Sequence, residues 1–391
     1  MPELLAIPMA TSGRIDVYSG IARMSGKIWA TLHRAERPSD TVVVITHPAS
    51  NFMGHYLLEP LAARGVDAVG LTTRYLGNDS ALLMENCVLD IGATVRFLRD
   101  RGYKNVVLIG NSGGGGLAAL YQSQAESPTI TATPAGDPVD LTQADLPPVD
   151  ALVSLMAHPG RALVYTDWLD PAITDENDPS QRDPELDLFA EGRTAPYDEA
   201  WLGRYRAAQV ARNRRITAWV REQLAELEAT GSVTDDLPFV VHGTAADPRF
   251  IDMTLDPSDR TPGTLWGTHA DANLKPATLG HYSSLRSWLS QWSVDETNCD
   301  GPKQLPHTSI PTLVMYGTAD QVCFPSYAQA MYDAVPHERK RLVPVVGGTH
   351  YLQGQDEQIA FVADQVVGWV REYLDDDREP VPTGATTPAA S

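Results

Sequence analysis

Three stretches of this chain are apolar at nearly every position rather than at every second one: Thr41–Thr46 (TVVVIT), Asn105–Ile109 (NVVLI) and Ala151–Met156 (ALVSLM). A strand with one wet face alternates, so a run without alternation has to be covered on both sides, as in a parallel sheet sandwiched between helices. Helical patterns lie where that arrangement needs them, at His55–Arg64, Leu82–Arg101 and Gly114–Gln124, and further strand-like runs occur at Gly26–Leu32 and Asp67–Thr72. The rhythm returns late in the chain, with strands at Thr312–Tyr316 and Arg341–Val346 and helices at Tyr327–Ala334 and Gln355–Tyr373. The predicted fold class is α/β, a mostly parallel central sheet flanked by helices.

Between the two halves the rhythm breaks. Residues 160–307 are rich in Pro, Asp and Trp, carry one short strand-like run at Pro238–Val241, and hold one long helical pattern at Glu199–Ala229. This block reads as a large, mainly helical cap inserted into the core. The expected organisation is therefore core over 1–159, cap over 160–307, core again over 308–374, and a flexible tail over 375–391, where DDDREPVPTGATTPAAS has too little apolar surface to order itself. Trp168, Trp201, Trp219, Trp266, Trp288 and Trp292 all lie in the cap, with Tyr165, Tyr205 and Tyr282. Aromatic area concentrated there predicts a roofed, mostly apolar pocket for a small molecule.

The formal charge of −20, from 50 acidic and 30 basic side chains in 391 residues, repels phosphate backbones and anionic bilayers. No nucleic-acid or membrane partner is expected. Cys87, Cys299 and Cys323 are too few and too scattered for a disulfide framework or a zinc site, and the ten histidines show no ligand spacing, so neither metal nor cofactor is expected. No basic start followed by an apolar run opens the chain and no apolar run is long enough to span a bilayer, which predicts a soluble cytoplasmic protein. The arginines at 204, 206, 212, 214, 215 and 221 read as a solvated helix face paired with Glu222, Glu226 and Glu228. The oligomeric state is left open, a homodimer included.

The chemistry points to Val106–Leu120, VVLIGNSGGGGLAAL. Gly110-Asn111-Ser112-Gly113-Gly114 is a G-x-S-x-G that closes a strand and opens a helix, the context in which a serine is thrust above the sheet on a sharp turn. Gly113–Ala118 also satisfies G-x-G-x-x-A, a dinucleotide fingerprint, but it begins three residues past Gly110, and the next strand-like run has no acid at its end. A serine needs a base, and the base needs an orienting acid. GTAD, ending in Asp320, and GGTH, ending in His350, follow two late strands in the order Ser, acid, His. Each residue alone would be an ordinary turn or surface residue; together, in this order and context, they read as a triad.

With those motifs and the His47-Pro48-Ala49 loop after an early strand, the chain resembles the α/β-hydrolase superfamily over about Arg14–Met156 and Pro311–Tyr373. The resemblance implies a catalytic triad of Ser112, Asp320 and His350, with oxyanion donors at the Gly113 N–H and in the loop after the third strand. Pro48 stands where that loop often has glycine and carries no N–H, which moves the second donor to Ala49, with Ser50 as fallback. His47 is expected to hold the loop's shape; Ser50 and His158, which follows the strand Ala151–Met156, are the candidate substrate contacts, and His158 reads also as a histidine satisfying a loop carbonyl. Two function classes follow: a serine hydrolase of an ester or lactone (or of a carbon–carbon bond in a diketone-like substrate, on the same triad), and a non-catalytic binding protein on this scaffold.

Overall fold

The computed structural model describes residues 1–10, 26–274 and 279–374; the stretch read as a tail lies outside them. Eight strands form one sheet: β1 (Glu3–Pro8), β2 (Lys27–His33), β3 (Thr41–Thr46), β4 (Asp67–Leu71), β5 (Asn105–Asn111), β6 (Ala151–Leu155), β9 (Thr312–Gly317) and β10 (Lys340–Val345), in the order β1-β2-β4-β3-β5-β6-β9-β10. β1 and β2 pair antiparallel, as do β2 and β4, and every other neighbouring pair is parallel. The predicted strands are all present, within a residue or two of their expected ends. β1 is the unexpected strand; it is an edge strand with only Leu5 and Ile7 buried, paired on one side by β2.

Unalternating strands are explained by their two coats. Val42, Val44, Val106 and Leu108 face one core with helices α2 (Met84–Asp100), α3 (Gly114–Glu126) and α6 (Pro325–Ala334). Their neighbours Val43, Ile45, Val107 and Ile109 face the other, with α1 (Leu58–Ala62) and α7 (Asp356–Leu374). The helix expected over His55–Arg64 is thus shorter than its pattern, because residues 53–57 are turns that carry the chain along the sheet's rim.

The insertion leaves after β6. It contains α4 (Arg161–Trp168), the 32-residue α5 (Glu199–Thr230) and a small two-stranded antiparallel sheet, β7 (Pro238–Val240) with β8 (Tyr282–Ser284). Asp198 caps α5 by accepting the Trp201 N–H at 3.0 Å, and Gly231 ends it at φ +58°. Its arginines do not pair with glutamates of their own helix. Arg212 is buried and forks onto Glu176, Arg206 reaches Asp247, and Arg214 and Arg221 reach Asp295 and Glu296. Arg204, Arg214, Arg215 and Arg221 are exposed, as a solvated face requires, but the stripe's partners are corrected: they lie on irregular loops outside α5, and Arg212 turns inward. The aromatic residues differ from expectation in the same way. Trp168, Trp288 and Trp292 are at most 1% exposed, and together with Tyr165 and Tyr205 they fill the insertion's apolar clusters, one of which it shares with Val322, Cys323 and Phe324. A block with so little regular structure needs large side chains to bury enough area, and that need absorbs most of the residues read as a pocket roof. Among the described residues no helix is long and apolar enough to cross a membrane.

Candidate active site

The parallel order β5-β6-β9-β10 brings the carboxyl ends of four strands to one rim. At the end of β5 the chain turns directly into α3, and Ser112 sits on the turn with φ +54°, a conformation that costs a residue with a Cβ of order 1–3 kcal/mol. The turn is held from below: the Ser112 N–H donates to the Leu155 carbonyl at 3.2 Å, and the Ser112 carbonyl accepts from His158 and Gly115. Close approach explains the glycine run. A Cβ on Gly114 would lie against the Thr46 carbonyl of β3, and one on Gly116 against the Pro159 carbonyl, both nearer than real Cβ atoms come.

His350 arrives on the loop after β10. Its Nε2 is 3.0 Å from Ser112 Oγ and its Nδ1 2.8 Å from Asp320 Oδ2. Asp320 stands on the loop after β9, fully buried, with Oδ1 accepting the N–H groups of Val322 (2.7 Å) and Cys323 (3.0 Å). Each carboxylate oxygen therefore has its own task, one toward the imidazole and one fixing the carboxylate. The two loops are laced together: the Ala319 N–H donates to Gly348 O (3.0 Å) and the Gly347 N–H to Thr318 Oγ1 (2.8 Å). Asp320, Cys323 and His350 also present ligand atoms within 4.8 Å of one another. Asp320 and His350 are already hydrogen-bonded within the relay, and burial pushes the Cys323 thiol well above its ordinary value, which keeps it from being a thiolate ligand.

The loop expected to supply the second oxyanion donor differs from expectation at both of its candidates. Gly113, just before α3, contributes one of the helix-start amides that have no intrahelical acceptor. The Ala49 N–H, by contrast, already donates to His47 Nδ1 at 3.1 Å, and the fallback Ser50 N–H does the same at 3.0 Å. His47 does hold its loop, and it does so with the two amides that the sequence offers to the substrate. Pro48 also keeps its carbonyl occupied, by the Thr73 hydroxyl. His158 lies in the same cluster, its Nδ1 buried without a hydrogen-bond partner. Burial, then the charges of Arg161 and His350, lower its pKa to about 3, so its ring is neutral.

Arg161 is the site residue that sequence reasoning missed. It starts α4 directly after the Ala157–Gly160 loop, the same rim position from which β9 and β10 send out their polar residues. Its side chain is 2% exposed; Nη1 donates to Asp79 Oδ2 (2.9 Å) and Gln291 Oε1 (2.6 Å), and the guanidinium lies 5.0 Å from the Trp292 ring centre. Its Nε is buried with no acceptor. A short distance from the end of β6 was the available signal.

No family model and no curated protein matches the sequence. Solved structures do. The α/β hydrolase GrgF from a Penicillium species matches over 96% of this chain and 99% of its own, at 11% identity and a TM-score of 0.51. DcsB, solved with a substrate analogue, matches over 96% and 99%, at 12% identity and a TM-score of 0.50. The chain has the α/β-hydrolase fold. An esterase domain of a Rhodothermus marinus protein is also similar, over 96% of this chain and all of its own, at 13% identity and a TM-score of 0.47.

Proposed function

We propose that the chain is a serine hydrolase that cleaves a small or medium-sized, partly hydrophobic carboxylic ester or lactone through an acyl-enzyme on Ser112. The observation that carries this reading is the hydrogen-bonded relay from Ser112 Oγ to His350 to Asp320, mounted on a positive-φ elbow. A binding protein has no use for a strained serine in contact with an oriented base. In the proposed reaction His350 Nε2 takes the Ser112 proton as Oγ attacks the acyl carbon, and the Gly113 N–H meets the oxyanion. The imidazolium, stabilised by Asp320, then gives its proton to the departing alkoxide, and water repeats the sequence on the acyl-enzyme. Ser112 is half-buried beneath a rim that the insertion borders, since Val322, Cys323 and Phe324 of the Asp320 loop pack with Val164, Trp168 and Phe250. That crowding supports a small substrate, with His158 and Ser50 as its proposed polar neighbours.

Labelling with a fluorophosphonate followed by peptide mapping tests the proposal. A single adduct on Ser112, abolished in Ser112→Ala, together with turnover of short 4-nitrophenyl esters, is the expected result. An unlabelled Ser112 in folded protein overturns it.

A further inference from the structure

The second oxyanion donor is unassigned once the Ala49 and Ser50 amides are seen to point into His47. The same two hydrogen bonds determine the state of that ring. A nitrogen that accepts from two backbone N–H groups carries no proton of its own, so neutral His47 bears its hydrogen on Nε2. Burial, followed by the charges of Arg161, His158 and His350, holds the ring well below the ordinary histidine range and keeps it neutral. The loop has therefore converted two main-chain donors into one side-chain donor aimed elsewhere.

Nε2 lies beside Gly113. A Cβ built on Gly113 would lie 2.9 Å from His47 Nε2 and 3.5 Å from Arg161 Nε. Two N–H groups from different elements thus converge beside the residue whose amide is the first donor, and neither can accept from the other. Arg161 Nε is buried and unpartnered although the guanidinium is anchored through Nη1 by Asp79 and Gln291. Converging donors with a fixed positive charge behind them, away from bulk water, favour a negative oxygen. We propose that His47 is a catalytic residue, donating through Nε2–H the second hydrogen bond to the oxyanion formed when Ser112 attacks, with Arg161 supplying the field behind it. This rests on the serine-hydrolase reading above and names the donor that reading leaves open. It also accounts for Gly113, since any side chain there would displace the imidazole.

Two substitutions separate a donor from a brace. His47→Asn keeps an acceptor where Nδ1 receives the two amides and places nothing at Nε2; His47→Gln carries an amide N–H toward Nε2 and gives up the acceptor. Turnover of a 4-nitrophenyl ester should fall about 10²–10³-fold in kcat for His47→Asn with KM little changed, and stay within about tenfold for His47→Gln. The opposite ranking overturns the proposal, for it would show that only the loop contact matters. A second measurement on the unaltered protein covers the case in which both variants fail. With ¹⁵N-labelled histidine, the His47 Nε2–H resonance should move downfield when a trifluoromethyl ketone forms its hemiketal on Ser112. An Nε2–H that does not respond overturns the assignment. Fluorophosphonate labelling of the unaltered protein, run alongside, keeps the readings distinct: labelled Ser112 with a silent His47 removes the donor alone, whereas unlabelled Ser112 removes the hydrolase reading with it.

Discussion

Asp320 shows how much one carboxylate has to do. Oδ1 is committed to the Val322 and Cys323 amides and Oδ2 to His350. Asp320→Asn preserves the first contact, because a carbonyl oxygen can still accept both amides. The new NH₂ would then face Nδ1 and force the imidazole proton onto Nε2, where it can no longer accept from Ser112. Ester turnover should drop by roughly 10⁴ while the thermal midpoint moves little, since no packing atom is lost. Steady-state kinetics beside a melting curve checks both, and a variant that keeps a tenth of its activity would mean that His350 is oriented by something else. Ser112 carries a complementary expectation. Ser112→Gly relieves the φ +54° strain and deletes the proposed nucleophile, so it should lose turnover by several orders of magnitude and yet unfold at a higher temperature than Ser112→Ala. Equal melting points would argue that the elbow stores no strain.

At the scale of elements the elbow is first a packing solution. α3 starts against β3 and the loop after β6, and its glycines exist because backbone passes where side chains would stand. Gly114→Ala drives a methyl into the Thr46 carbonyl and should destabilise by about 1–3 kcal/mol. Gly368, on the exposed side of α7 with open space around it, should do the reverse on Gly368→Ala, gaining about 0.5–1 kcal/mol from helix propensity. Urea titration of the two variants measures the contrast, and equal effects would refute the steric account. The same contrast marks what sequence could show. Strands buried on both faces and the three motif-bearing turns were legible because their causes are local: β-branched runs, and glycine beside a polar residue at a strand's end. The loops of the insertion were not, because they are held by pairs such as Arg212 with Glu176 and Arg214 with Asp295, whose partners lie far apart in the chain. The direction of the Ala49 amide, which donates to His47, is illegible for a related reason. Spacing locates the loop, but whether an amide is free or turned into a neighbouring ring depends on one side-chain rotamer.

Over the whole molecule, insertion and core are joined by buried polar contacts that neither part satisfies alone. The Met84 N–H at the start of α2 donates to Ser290 Oγ (2.8 Å), Glu85 accepts from Ser290 and Asn298, and Arg161 meets Asp79 across the same seam. The end of the block read as cap, with Cys299 and Leu305, packs into the core cluster itself. Replacing residues 160–307 by a short linker should therefore abolish cooperative unfolding, as followed by tryptophan fluorescence, and a sharp transition in that variant would mean the core stands alone. The buried histidines of this seam and site add a dependence on acidity whose sign is fixed. In the unfolded chain their pKa returns to about 6.5, whereas folded His158, desolvated and beside Arg161 and His350, protonates only near pH 3. Between those values the unfolded state binds more protons, so stability is full above pH 6.5 and is lost as the pH falls, by about 1.4 kcal/mol per pH unit for each imidazole that stays neutral. His47, lowered by its own burial and by Arg161, adds to the same slope. Urea unfolding at pH 7.5, 5.5 and 4.5 should show that decline, and His158→Asn, which cannot titrate, should make it shallower. A slope unchanged by that substitution would show that His158 is not held neutral in the folded protein.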